Sequence, residues 1–355
     1  MRFEDVFSTR AAALRITQDS SNAIPFAGAA FFPTVKQAGL DLKLIKAHKG
    51  LGVVLKPAAF DTLATIRSRQ GFTVSNVEMP LFRESMRVGE KEMMEIQRAQ
   101  QANDPYLLDV LGRIYDDTNT LVEGARIAQE KMRCSLLCPQ SGNLTISLAA
   151  DNAIYNYDYD NQGTWKANHY VALASNNDKW SDPVNSKPLD DIQTGVTYLR
   201  SIGYDPGYLM MNTTTFNYLV ASDQIKNALI TLTGSLISFM DVDTVREVIR
   251  RKTGLVPIIY DKMYTDLDGT DKKFFADNYC SILPRGGIGR TVLGTTPEER
   301  TALGDAGVDV SILESGIAIA HQTTYGPPVQ ESVTASMICL PSAENLDGMY
   351  VIKVA

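Results

Sequence analysis

Between Asp104 and Arg133 the chain carries a pattern that leaves little choice of structure. Leu107, Leu111, Ile114, Thr118, Leu121, Ala125, Ala128 and Met132 recur at alternating steps of four and three. That spacing lays them as one stripe down a helix. Asp104 suits the N-cap, and Pro105 suits the first turn, where a missing N–H costs nothing. Pro139 and Gly142 stop the helix beyond about Arg133, which makes it roughly 45 Å long. A coiled coil is the rival, but a threonine and two alanines in the stripe favour packing against a sheet of the same chain.

On the N-terminal side the sequence reads as extended chain. Residues 1 to about 40 are loop-like, punctuated by Pro25, Gly28, Pro33 and Gly39. DLKLIKAHKGLGVVLKP, from Asp41, alternates in part as a half-buried strand does. It leads into TIRSRQGFTVSNVEMPLFRESMRV, from Thr65, which mixes Arg67, Arg69, Arg83 and Arg87 with Glu78 and Glu84. This run has little with which to build a core. A long two-stranded excursion is marginal by itself and packs on something else.

Beyond the helix, NLTISLAADNAIYNYDYD alternates as a strand or a hairpin does, and the polar residues 161–187, with Trp165 and Trp180, read as a loop or linker. An α/β block follows. PLDDIQTGVTYLRSIG is an amphipathic helix ending at Gly203, and YLMMNT is a short strand. TTTFNYLVAS opens a helix with a capping threonine, SFMDVDTVREVIRRKTG is another helix, and VPIIYD is a strand. KKFFADNYCSILP reads as the return strand of a hairpin, and residues 308–355 as strands separated by turns.

Within that block, YTDLDGTDKKFF resembles a calcium loop at first sight. With Gly269 at position six of an EF-hand, position one is Tyr264 and position twelve is Phe275. Both essential ligands are then missing. Asp-Gly between β-rich flanks reads instead as a hairpin turn.

Other chemistry is as sparse. His48, His169 and His321 sit in unlike contexts without a carboxylate or cysteine at a motif spacing, so each reads as an ordinary histidine. Cys134, Cys138, Cys280 and Cys339 are too few and scattered for a disulfide framework; reduced thiols are expected. PRGGIGRT, from Pro284, lacks the lysine and spacing of a phosphate-cradling loop and suits a strand exit. The acid pairs Asp116–Asp117 and Asp190–Asp191 fit solvated or capping positions. We therefore expect no enzyme, no metal and no cofactor. No apolar run approaches the roughly 20 residues of a membrane span, and Glu4, Asp5, Arg10 and Arg15 occupy the place of a signal peptide's apolar stretch. A net charge of -7 argues against a protein that grips nucleic acid, though not against one that surrounds it.

In order along the chain, these pieces resemble the major capsid proteins of tailed bacteriophages, specifically the lambda-type phage capsid protein E family with its Hong Kong 97 fold. TIRSRQGFTVSNVEMP is similar to the tip of that family's extended loop, and NDPYLL to the start of its spine helix. WSDPVNSKPLDDI, from Trp180, resembles the start of the axial domain. SIGYDPGYLMMNTTTFNYL and VPIIYDKMYTDLDGTDKKFFADNYCSILP resemble the helix, strand and hairpin within it. The likeness runs from about residue 40 to the C-terminus.

The resemblance implies an α+β, Hong Kong 97-like capsid fold. Its expected parts are an N-terminal arm at 1–40, an extended β-hairpin loop region at 41–90, and a peripheral domain with the spine helix at 91–186. An axial domain at 187–305 and a return to peripheral strands at 306–355 complete it. It implies assembly with itself as hexamers and pentamers into an icosahedral shell enclosing double-stranded DNA, in the virion and, during assembly, in the host cytoplasm. Scaffolding, portal and decoration proteins are the other implied partners. Reaching its extended loop by about residue 50, the chain has no room for a large N-terminal scaffolding domain; Met1 favours a separate scaffold over a trimmed mature form. Within the loop, Arg67, Arg69, Glu78, Arg83, Glu84 and Arg87 are expected to meet a neighbouring subunit. An encapsulin-like nanocompartment, a phage tail or neck protein and a cytosolic α/β enzyme are the alternatives, in that order.

Overall fold

The computed structural model describes residues 25–47, 72–91, 94, 106–150, 153–175, 178–233, 241–301, 308–312, 316–324 and 330–355. The expected helix spans Tyr106–Leu137, one turn longer than its stripe. From Thr118 onward the stripe is buried or half-buried, but so are Val122, Gln129, Glu130, Arg133, Cys134, Leu136 and Leu137. The C-terminal turns are therefore wrapped on nearly all sides.

Strands β1 (Thr34–Lys36), β13 (Arg290–Leu293), β16 (Gln330–Ser342), β15 (Ala318–Thr324) and β14 (Val308–Ile312) pair in that order. Together with β4 (Leu81–Val88), which pairs with β16, they form a six-stranded sheet beside the long helix. A second, five-stranded sheet runs β7 (Tyr170–Ala172), β17 (Tyr350–Lys353), β12 (Tyr279–Pro284), β8 (Pro206–Met211) and β9 (Val256–Ile259). Three two-stranded hairpins complete the strands: β2 (Asp41–Ala47) with β3 (Phe72–Glu78), β5 (Thr145–Ala150) with β6 (Ala153–Asp158), and β10 (Met263–Thr265) with β11 (Asp271–Lys273).

The three central strands of the five-stranded sheet, β17, β12 and β8, are buried on both faces, and the alternation of side chains along a strand divides their residues between two cores. Tyr279, Leu283, Met210 and Val351 face the core shared with the long helix and the six-stranded sheet. Cys280, Ile282, Leu209, Met211, Tyr350 and Ile352 face a second core under the helices Pro188–Ser201, Thr213–Ala221, Asp223–Thr233 and Val242–Thr253. The odd polar residue on β12 also has a task. Buried Ser281 donates through Oγ to the carbonyl of Leu137 at 2.7 Å, satisfying an acceptor that the end of a helix leaves open.

Several sequence expectations change. VPII and YCSILP do not form one hairpin: β9 lies parallel and β12 antiparallel to opposite edges of β8. The hairpin is only the short β10–β11 unit between them. The helix after β8 is capped by Asn212, whose side chain accepts from the Thr215 N–H, rather than by a threonine. Residues 161–187 are not simply a loop, since Thr164–His169 is helical and β7 follows. Both tryptophans there are 1% exposed, with Trp165 Nε1 donating to the Leu346 carbonyl and Trp180 Nε1 to Asp191. A polar stretch can thus be anchored by two large rings, each with its single N–H satisfied. Residues 27–31, expected as loop, form a short helix. β17 pairs with β12 and β7 and not with the strands of the six-stranded sheet, while β13 joins that sheet.

Ser281→Ala is expected to cost about 1–3 kcal/mol, the penalty of a buried carbonyl left unpaired, measured as a lower urea midpoint with an unchanged m-value.

Candidate functional site

Among the described residues no group of three or more His, Cys, Asp or Glu is placed to hold a metal ion, and no helix is long and apolar enough to cross a membrane. The four cysteines are free and buried, and burial pushes their thiols up, Cys138 to about 12. His169 is buried, stacked on Trp165, with Nδ1 at 3.0 Å from the Met349 carbonyl. His321 lies on β15, and His48 lies outside the described residues. The four cysteines and His169 are built into the interior. The remaining features among the described residues are surfaces and hairpins, and how they are held.

The β2–β3 hairpin is clamped at its root. Leu42 and Met79 are 3% exposed. The Met79 N–H donates to the Leu40 carbonyl, and Tyr157 Oη donates to the Glu78 carbonyl at 2.9 Å. Gly294 sits where a Cβ would come within 3.0 Å of the Gly39 carbonyl and Met79, so glycine permits this close crossing.

The charged residues expected on the excursion separate. Arg67 and Arg69 lie outside the described residues. Glu78 ends β3, opposite Asp41. Arg83, Glu84 and Arg87 are exposed on β4, opposite Ser336, Ala335 and Ser332 of the chain's own β16. Arg83 is already engaged, 2.5 Å from Glu298, whose other oxygen accepts from Ser336 Oγ. Glu84 and Arg87 pair with no other described residue. Lys36 of β1 binds the neighbouring acid, Glu299, at 2.6 Å. The helix Pro297–Thr301 thus fastens both the arm and β4 through its two glutamates.

A buried polar knot fixes the segment around Gly28 and Phe32 more deeply. Glu130, fully buried on the long helix, accepts at one oxygen from the Gly28 N–H at 2.7 Å and from Tyr260 Oη at 3.0 Å. Its other oxygen is 3.5 Å from the Arg133 guanidinium. Arg133 in turn donates to Thr291 Oγ1 at 2.8 Å and to Gln129 Oε1, and Thr291 Oγ1 donates to the Phe32 carbonyl. Burial, with Cys134 and Glu130 alongside, pushes the Tyr260 hydroxyl far above its ordinary value, so it stays a donor. Sequence reasoning missed this knot because Glu130 and Arg133 lie off the apolar stripe.

The β10–β11 turn closes as expected. Gly269 has φ +77 and the Gly269 N–H donates to the Asp266 carbonyl. Asp266 does more than solvate the turn, because it binds Lys131 of the long helix at 2.8 Å and Lys272 at 2.6 Å. Those two ammonium groups hold its carboxyl well below the usual carboxylate range. The hairpin is thus pinned to the helix that carries the knot.

An α+β subunit with one two-faced sheet, a long helix and a projecting ribbon is a Hong Kong 97-like capsid fold, and two solved structures share it. A capsid protein ascribed to a prophage of E. coli CFT073 superposes with a TM-score of 0.60 at 16% identity, over 98% of this chain and 99% of its own. A phage-related protein from Bordetella bronchiseptica RB50 does so with a TM-score of 0.56 at 14% identity, over 98% and 97%. No curated protein matches the chain in sequence. The family model described as phage major capsid protein E matches residues 9–313. The chain belongs to that family. It is a phage coat protein, a structural component of the virion rather than an enzyme.

Two outcomes follow from the fastening of arm and hairpin. A Cβ at Gly28 would fall 2.8 Å from the Glu130 carboxylate and 2.9 Å from Arg133 Cβ, so Gly28→Ala is expected to cost about 1–3 kcal/mol by overpacking, read from urea unfolding at neutral pH. The Asp266 carboxyl is depressed in the folded state, so its stabilisation is present at neutral pH and fades as pH falls below the unfolded value of about 4. Asp266→Asn should therefore be less stable than the parent at pH 7, and the gap between the two urea midpoints should narrow steadily below pH 4.

Proposed function

We propose that copies of this chain assemble as hexamers and pentamers into an icosahedral shell around double-stranded DNA, with a separate scaffolding protein directing closure and a portal at one vertex. The observation that carries this reading is the β2–β3 ribbon. Among the described residues it has no third strand, and a two-stranded ribbon is marginal in water without further packing. A neighbouring subunit supplies that packing. Arg67 and Arg69, with Glu78, contribute to the contact, and Glu84 and Arg87 extend it onto β4 as charge-assisted pairs. Arg83, being tied to Glu298, acts chiefly within the subunit.

The regions divide as an arm over 1–40, an extended loop region over 41–90 and a peripheral domain over 91–186 and most of 306–355. The axial domain, over 187–305, borrows β17 from the C-terminus and gives β13 to the peripheral sheet. A net charge of -7 supports the container reading, since tightly packed DNA must be confined without being gripped and must later leave. Assembly takes place in the host cytoplasm.

Negative-stain microscopy of the protein, expressed alone and with its scaffold, is expected to show closed shells or hexameric and pentameric rings; a persistent compact monomer under both conditions overturns the assembly. DNA inside shells recovered from infected cells separates a phage coat from an enzyme-filled nanocompartment. Arg67→Glu with Arg69→Glu is expected to abolish or strongly reduce shells while leaving the subunit's circular dichroism and urea midpoint unchanged; normal shells from that variant remove the loop contact.

A further inference from the structure

The two legs of the β2–β3 ribbon are gripped by one short helix. β1 leads through Gly39, which has φ +108, into β2, and β3 leads through Met79 and Pro80 into β4. Lys36, the last residue of β1, places Nζ 2.6 Å from both oxygens of Glu299. Arg83, near the start of β4, lies 2.5 Å from Glu298, whose second oxygen accepts from Ser336 Oγ at 2.8 Å. Ser336 is the register partner of Arg83 on β16, so Glu298 straddles a cross-strand pair. The two acids are neighbours on the helix Pro297–Thr301. Successive side chains of a helix point about 100° apart, so this one element grips in two directions.

So short a segment does not persist as a helix by its own propensity. It is held by what it touches. Thr296 Oγ1 accepts from the Glu299 N–H, the helix packs against β14 and β15, and its acids hold the two legs. The acids are the buried partners, with side chains 6% exposed at Glu299 and 14% at Glu298, against 42% for Lys36 and 46% for Arg83. Removal of either base therefore leaves a carboxylate without its counter-charge inside the fold, which costs more than losing a pair in open water. Because a single helical turn forms or frays as one unit, loosening at one acid reaches the other.

We propose that Glu298 and Glu299 make the helix Pro297–Thr301 a clamp that couples the two legs of the ribbon, so that a displacement of β1 is passed to β4 and the reverse. The ribbon then leaves the subunit in one direction, set by both legs together. Its root contacts at Leu42, Met79 and Tyr157 hold it in place without linking β1 to β4. The coupling belongs to the single subunit and stands apart from the assembly reading.

The test is native-state hydrogen exchange, read by mass spectrometry on the full-length subunit and on Lys36→Met and Arg83→Met, which keep the aliphatic stem and remove the charge. Lys36→Met is expected to quicken exchange in β4 as well as β1, and Arg83→Met in β1 as well as β4, each on the order of threefold or more. Exchange in β8, under the second core, stays as in the parent. Quickening confined in each variant to its own leg overturns the coupling. Should β8 quicken in proportion, the whole subunit has been destabilised and urea unfolding of the combined variant decides. A combined loss smaller than the two single losses added together supports the clamp, and strict additivity overturns it.

Discussion

The carboxylate of Glu130 and the guanidinium of Arg133, one helical turn apart and both buried, set the geometry to which the other parts conform. Removing two charges from water costs several kcal/mol per ion unless every remaining lone pair and proton finds a partner. Here one Glu130 oxygen and the guanidinium find partners in distant parts of the chain, Gly28 near the N-terminus, Tyr260 at the exit of β9 and Thr291 on β13, while the other oxygen is left to the Arg133 charge 3.5 Å away. None of these can shift alone without stranding a buried polar atom. An apolar cluster of the same volume could hold the helix as firmly, but it would tolerate sliding. The directional bonds select one placement of arm, helix and both sheets.

That placement is transmitted by the five-stranded sheet. Because its side chains alternate between two cores, a rotation of the helices over the second core cannot be absorbed there alone and must displace Met210, Leu283 and Val351 in the other. Ser281 adds a direct tie from the middle strand to the end of the long helix. The subunit therefore behaves as one body at its centre. Around it stand three two-stranded units, β2–β3, β5–β6 and β10–β11, each tied to that centre by its own side chains.

Local order was legible in the sequence wherever a period or a turn residue declared it. The helical stripe, the alternation of NLTISLAADNAIYNYDYD and the Asp-Gly turn each follow from the nearest few residues, and each was found close to where it was expected. The pairing order was not legible, because β8 lies between β9 and β12 through contacts that sequence distance does not encode. The buried knot was hidden for a related reason. A charged residue beside an apolar stripe reads as solvated unless the flanking sequence shows the helix is wrapped. That signal existed in the CSLLC run ending the helix, where Leu136 and Leu137 fall off the stripe and are fully buried. The tryptophans of 161–187 were a second overlooked signal, since so large an apolar ring seldom stands in a free loop. Of the proposed contact residues, the charges were readable but their partners were not. Arg83 is indistinguishable from Arg87 in sequence, yet among the described residues only Arg83 of the two is paired with an acid.

The division between satisfied and unsatisfied groups bears on how a coat subunit avoids assembling too early. Most interior polar groups of the subunit find partners within it, Glu130 Oε2, Ser186 Oγ and Ser222 Oγ being exceptions among the described residues, so its core makes little demand on a neighbour. The features that remain for a neighbour are peripheral: a two-stranded ribbon and exposed charges such as Glu84 and Arg87. An exposed, screened ion pair is worth about a kilocalorie or less, too little by itself to bind two copies in dilute solution. Repeated over a shell such pairs add, because a subunit already held at one contact forms the next without a further loss of translational freedom. Weak, dispersed complementarity on a rigid centre thus makes assembly cooperative and leaves misplaced subunits free to dissociate, which is what an error-free shell requires of its parts.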